Sequence, residues 1–149
     1  VIDLTDIDPA LHGGLTALAA DMRAHGYRRD EPVREVFGLL GDRWTTLILL
    51  VLRIGTFRHA ELRRTLGRIG AEGRISQRIL THKLRTLERN GLVLRHATQD
   101  IPPRVSYELS PLGLSLIGEV DRLMLWIHRA STAIEAARAD FDGRFGLEP

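Results

Sequence analysis

Apolar residues recur along this chain mostly at helical intervals, and Asp, Pro and Gly mark where each run starts and stops. Leu11, Leu15, Leu18 and Met22 follow at 4-3-4 spacing behind Asp8 as cap and Pro9 as first helical residue. They predict a helix up to Gly26, weakened by Gly13 and Gly14. Asp30 and Pro32 repeat the pattern ahead of Val33, Val36, Phe37 and Leu40, and Asp42 opens a third helix through the apolar block to Gly55. After Phe57, a short amphipathic helix covers His59 to Leu66, and "GRIGAEGR", with Gly67, Gly70 and Gly73, reads as a mobile loop. The clearest two-sided pattern lies between Ser76 and Asn90. Ile79, Leu80, Leu84 and Leu87 are assigned to one apolar face, Gln77, Arg78, Thr81, His82 and Arg85 to the other. Ser76 fits the N-cap, Ile75 before it can staple onto Leu80, and Asn90-Gly91 supplies a left-handed stop. Beyond it "LVLRHATQ" and "VSYELS" alternate like strands joined by "DIPPR", whose prolines suit a hairpin tip. Ser110-Pro111 then opens the longest helix, expected to end near Asp140, ahead of Gly143.

This order describes a mainly α fold with a small β-hairpin: a winged helix-turn-helix with additional N- and C-terminal helices. A chain of 149 residues fits one domain. With no cysteine, disulfides, thiolate metal sites, thiol redox sensing and cysteine nucleophiles are excluded. The six histidines form no short metal-binding pair, so neither a metal nor a cofactor is expected. "GRIGAEG" fails the dinucleotide fingerprint and "GLSLIG" is not a nucleophile elbow, which argues against an enzyme. The longest apolar run, Leu47 to Leu52, is far too short to span a bilayer, and the start lacks a leader pattern; no membrane partner and a cytoplasmic location are expected. Charge adds more than its total of +2 suggests. From Thr56 to Arg104, eleven Arg/Lys against four Asp/Glu give +7, and the ten cations and fifteen carboxylates elsewhere give −5. A basic middle between acidic flanks suits a surface for a polyanion, the plainer alternative being arginines on a solvated face.

Three blocks, "PVREVFGLLGDRWTTLILLVL", "ISQRILTHKLRTLERNGLV" and "PPRVSYELSPLG", resemble in order the signature blocks of the HxlR family of bacterial, MarR-like winged-helix transcription regulators. The resemblance extends over roughly Pro32 to Trp126 and implies that Ser76 to Asn90 is the recognition helix, lying in the DNA major groove. Ser76, Gln77, Arg78, Thr81, His82 and Arg85 are then its candidate contacts; Gln can pair with adenine, Arg with guanine, and Thr with a thymine methyl or a phosphate. Arg104 after the wing tip and Arg95 on the strand leading to it become wing contacts, with an Arg104–Asp100 ion pair as the alternative. Arg43, near the start of "GDRWTT", is placed on a phosphate, and Arg68 and Arg74 in the glycine-rich segment on the DNA backbone, unless that segment is an inert insertion. Two features depart from the family. Many members carry a cysteine before the proline of the first block, where this chain has Glu31, and "GRIGAEGR" is longer than the family's tight connection.

The last helix adds an assembly expectation. Leu116, Val120, Leu123, Ile127, Ala130, Ile134, Ala137 and Phe141 alternate 4 and 3 residues apart, a seam more easily buried with another helix alongside. A homodimer through this helix and the first one (Leu11, Leu15, Leu18) would set two recognition helices on successive major-groove turns of a pseudo-palindromic site. Packing of the two terminal helices within one chain is the alternative. The expected partition is 1–30 for an N-terminal dimerisation extension, 31–110 for the winged helix-turn-helix, and 111–149 for a dimerisation helix and tail. The functional expectation is a sequence-specific double-stranded DNA-binding transcription regulator, a repressor because blocking a promoter needs only occupancy. Its rival is a winged-helix module that binds protein, or a small-molecule effector in a pocket around Phe37, Leu40, Leu123 and Trp126.

Overall fold

Asp8 caps as its position suggests: its Oδ1 accepts the Ala10 N–H at 2.9 Å and starts a 3-10 turn, Pro9–Leu11, that runs into α1 (His12–His25). The computed structural model describes residues 2–26 and 28–146, which form two compact units divided between Thr46 and Leu47. In the first unit α1 buries none of its residues, and Gly26 ends it at φ +76, a left-handed value that favours glycine. Pro32 opens α2 (Pro32–Leu40), although the cap position is Glu31 rather than Asp30. Glu31 makes no cap bond; its carboxylate accepts the Arg28 N–H at 2.6 Å and fills the space that a Cβ on residue 26 would need. Asp42 caps α3 (Thr45–Leu52), its Oδ2 accepting the N–H of Trp44 and of Thr45 and the Thr45 hydroxyl at 3.1, 2.9 and 2.8 Å. The helix is shorter at both ends than expected, and the divide between the units falls inside it.

The second unit holds a three-stranded antiparallel sheet, where the alternation had suggested two strands. β1 (Phe57–Arg58), β2 (Val93–Ala97) and β3 (Val105–Leu109) lie in the order β1-β3-β2, with Phe57 opposite Tyr107, Val93 opposite Leu109 and Ala97 opposite Val105. α4 (His59–Ile69) packs on β1 and β3, α5 (Gln77–Arg89) on β2, and α6 (Pro111–Phe145) on β3. Leu62, Leu66, Leu80, Leu84 and Leu87 are fully buried and Ile117 nearly so, so helices α4, α5 and α6 each give one face to the core.

α4 extends through Gly67 and Arg68, which were expected in the loop. What remains as connection, residues 70–76, is anchored. A Cβ on Gly70 would lie 2.7 Å from Leu47 Cδ2 and 3.0 Å from the Leu66 carbonyl oxygen, Gly73 takes φ +74, and Ile75 is buried. Two of the three glycines therefore serve close approach and a left-handed turn, not looseness. α6 passes through Gly143 and stops at Gly146, whose left-handed conformation lets its N–H donate to the Asp142 carbonyl. Only Gly113, Ile117 and Val120 of α6 are buried, all near its start.

Candidate nucleic-acid interface

α5 begins at a satisfied cap: the Ser76 hydroxyl accepts the Ile79 N–H at 3.1 Å, a bond worth about 1 kcal/mol. Leu80, Leu84 and Leu87 turn inward, and Leu80 is flanked by the buried Ile75 in the staple position. Gln77, Arg78, His82 and Arg85 are exposed on the outer surface of the same helix. Ile79 does not join the buried face, being 44% exposed. Each residue advances about 100° around a helix, so Ile79 sits a quarter turn from Leu80. That places an apolar side chain beside the polar outer face, where it can meet a thymine methyl, a role the inward assignment had hidden.

Thr81 is half-buried and already bonded. Its hydroxyl donates to the Gln77 carbonyl at 2.8 Å and lies 3.0 Å from His59 Nε2, so with its proton committed Thr81 has no donor left for a partner and offers its methyl and one acceptor lone pair. With the Thr81 hydroxyl as acceptor, Nε2 of His59 is the protonated nitrogen. His59, the first residue of α4, also packs a tilted 6.4 Å from the Tyr107 ring. Burial, and then the nearby Arg63 charge, hold its pKa below the ordinary histidine value.

The hairpin stands at the far end of α5. Its tip is closed by the Thr98 N–H donating to the Arg104 carbonyl and the Arg104 N–H to the Thr98 hydroxyl, both at 2.9 Å. The Arg104 guanidinium donates twice to Asp100 Oδ2, at 3.0 and 2.7 Å. The ion pair weighed from the sequence is therefore formed, and it holds the Asp100 carboxyl below its usual range, with Thr98 assisting. Such an exposed pair is weak enough in water to exchange for a phosphate. Lower on the wing, Glu108 accepts from His96 and Thr56, which together keep its carboxyl low. Arg95 is exposed on β2.

The structure thus brings Gln77, Arg78, His82, Arg85, Arg95 and Arg104 together in one unit. Arg43 is exposed in the turn before α3 and belongs to the other unit. Arg68 and Arg74 line a cavity of about 420 Å³ together with Arg63, Arg64, Gly67 and Ile75. Arg63 and Arg64 were not among the sequence candidates. Their signal was present, as adjacent arginines on an amphipathic helix, but only the fold carries the segment after α4 back onto that helix. Among the described residues no cluster of His, Asp and Glu could hold a metal ion, and no helix is long and apolar enough to cross a membrane.

Known proteins share this fold. The HxlR-like helix-turn-helix family matches residues 39–135, which include α5 and the whole wing. The chain belongs to this family. It is 37% identical over 107 residues to the HTH-type transcriptional regulator YtfH of Escherichia coli, covering 72% of this chain and 80% of that protein. Among solved structures it is similar to the transcriptional regulator ytfH from Salmonella typhimurium, with a TM-score of 0.59 at 35% identity, over 75% of this chain and 95% of that one. It is also similar to diamide-treated YodB from Bacillus subtilis, with a TM-score of 0.55 at 32% identity over 68% and 96% of the two chains. Within the family this chain has no thiol, and at Glu31 it carries a carboxylate committed to the turn between α1 and α2.

Proposed function

We propose that this chain is a sequence-specific, double-stranded DNA-binding transcription regulator of the cytoplasm that acts as a homodimer on a pseudo-palindromic operator and represses by occupying it. DNA binding and transcriptional regulation come with the family; repression, the dimer and the operator geometry are the further steps. The observation that carries the reading is α5 itself. It is a capped helix held by three buried leucines, and it presents an amide, two guanidiniums and an imidazole outward beside a β-hairpin with arginines along it. Base edges in a major groove are read by such donors and acceptors, while the arginines of the wing and of α4 neutralise phosphates.

On this reading residues 31–110 bind DNA, and residues 1–30 and 111–149 pair two copies. The support for pairing is the apolar surface left along α6: Leu123, Trp126, Ile127 and Phe141 are 53%, 61%, 42% and 52% exposed, while Ala130 and Ile134 are half-buried and Ala137 exposed. Leu11 and Leu18 on α1 are similarly exposed, at 56% and 54%, with Leu15 half-buried. Val120 is committed to its own chain's core and Leu116 is half-buried, so pairing would rest on the seam from Leu123 onward. A signal, in a chain without thiols, reaches the regulator as a small-molecule effector, a protein partner or a change in abundance. The test is fluorescence anisotropy with the DNA upstream of the protein's own gene and a shuffled duplex, each titrated with salt. Preference for the upstream DNA by about 10³-fold or more, with salt-dependent affinity, is expected. Equal weak binding to both rejects the operator.

A further inference from the structure

The cavity between α4 and the segment that follows it is lined by four arginines, Arg63, Arg64, Arg68 and Arg74, with Gly67 and Ile75. A second cavity, about 340 Å³, shares Arg63 and Arg64 and reaches His59, Ala60 and Gln77, the first residue of α5. Together they form a basic groove from the segment after α4 along that helix to the first turn of the recognition helix. Arg64 and Arg68 are one helical turn apart on α4, and Gly67 beside them has no side chain to fill the gap to the loop: a Cβ there would reach within 3.8–4.0 Å of Gly73 and Arg74.

Among the described residues none of these four arginines has a carboxylate partner. Glu61, on the same helix, is turned to the helix start, where it accepts the Arg58 N–H at 3.0 Å, and Glu72 of the following segment is not part of the lining. Convergent cations without counter-charges repel one another, and an anion in the groove removes that cost. Guanidiniums also match phosphate oxygens in geometry and bind them in pairs.

We propose that this groove is a phosphate clamp: it holds a backbone phosphodiester of the bound duplex next to the segment that α5 reads, and the stretch after α4 completes it with Arg74. The assignment rests on the DNA reading above and gives the groove a role that carries affinity but no base preference. Salt dependence reports it, because each phosphate neutralised contributes about one to the slope of log affinity against log salt.

The experiment uses the full chain and the duplex it prefers from a randomised pool. Arg64→Ala and the charge reversal Arg68→Glu, both at exposed positions, are compared with wild type by anisotropy across salt, after matching their melting curves. The clamp predicts weaker binding to preferred and scrambled duplexes by the same factor, with the slope shallower by about one for Arg64→Ala and more for Arg68→Glu. Unchanged slopes in both variants, while wild type still prefers its duplex, would overturn the clamp and leave the DNA reading standing. Unchanged slopes together with loss of pyrophosphate binding, measured by calorimetry, would overturn it in favour of a free phosphorylated ligand. A wild type with no duplex preference would remove the DNA reading, and the clamp with it.

Discussion

Two neighbouring positions on α5, Thr81 and Arg78, separate what a polar residue can do from what it is free to do. Both belong to the polar face on a helical wheel, yet Thr81 spends its proton on the Gln77 carbonyl and receives His59, while Arg78 stands exposed. Arg78→Ala is therefore expected to cost about 1–3 kcal/mol at the preferred duplex and to relax its sequence preference, read by anisotropy on single-base variants of the site. Binding as tight as wild type would remove α5 from the groove. His59 supplies a second expectation, in pH. Its folded pKa is lowered by burial and Arg63, so the unfolded chain takes up the proton first as pH falls. The associated stability is present above the unfolded value near about 6.5 and is lost as pH drops through the folded value. Thermal melts of wild type and His59→Gln from pH 8 to 5 should show the variant losing less stability below that point. Parallel curves would mean that the imidazole is not held neutral by its surroundings.

At the level of elements, the helices were legible where a local signal exists. Ser76, Asn90-Gly91, Asp42 and Ser110-Pro111 punctuate the chain through bonds made within a few residues, and each ends or begins a helix close to where the sequence puts it. β1 was not legible. Two residues carry no alternation, and Phe57–Arg58 is a strand only because Tyr107 and Ser106, some fifty positions away, offer a free edge. The joint between α5 and α6 is equally non-local. Ser110 donates its N–H to the Leu92 carbonyl at 3.1 Å and its hydroxyl to the Gly91 carbonyl, while that hydroxyl accepts the Gly113 N–H at 2.9 Å. Gly113 fits because it has no side chain: a Cβ would fall 2.1 Å from the Leu92 carbonyl oxygen and 3.2 Å from Leu109 Cδ2. Gly113→Ala should lower stability by roughly 1–3 kcal/mol, seen as an earlier denaturant midpoint with unchanged slope. An unshifted midpoint would show that α6 can move away from the wing without cost, and that the joint does not tie α6 to α5.

For the whole molecule, α6 is the element whose length exceeds its own chain's needs. Its first three turns hold the buried Gly113, Ile117 and Val120, and the remainder presents leucine, tryptophan, isoleucine and phenylalanine to solvent. Leu123→Glu with Ile127→Glu changes exposed positions, so the fold should persist while two charges at the seam disfavour pairing. Sedimentation velocity is expected to show a dimer for wild type and a monomer for the double variant; an unchanged dimer would reject the α6 interface. The sequence by itself determined the helix starts at Asp8, Asp42, Ser76 and Ser110, the stop at Asn90-Gly91, the two-sided character of α5, the hairpin and the lack of a thiol, because these depend on residues close in the chain or on composition alone. Tertiary structure alone decided that His59 reaches the Thr81 hydroxyl, that a third strand joins the sheet, and that four arginines of α4 and the following segment line one groove. Each of these depends on which distant backbone or side chain arrives at a given place, and local periodicity does not encode that.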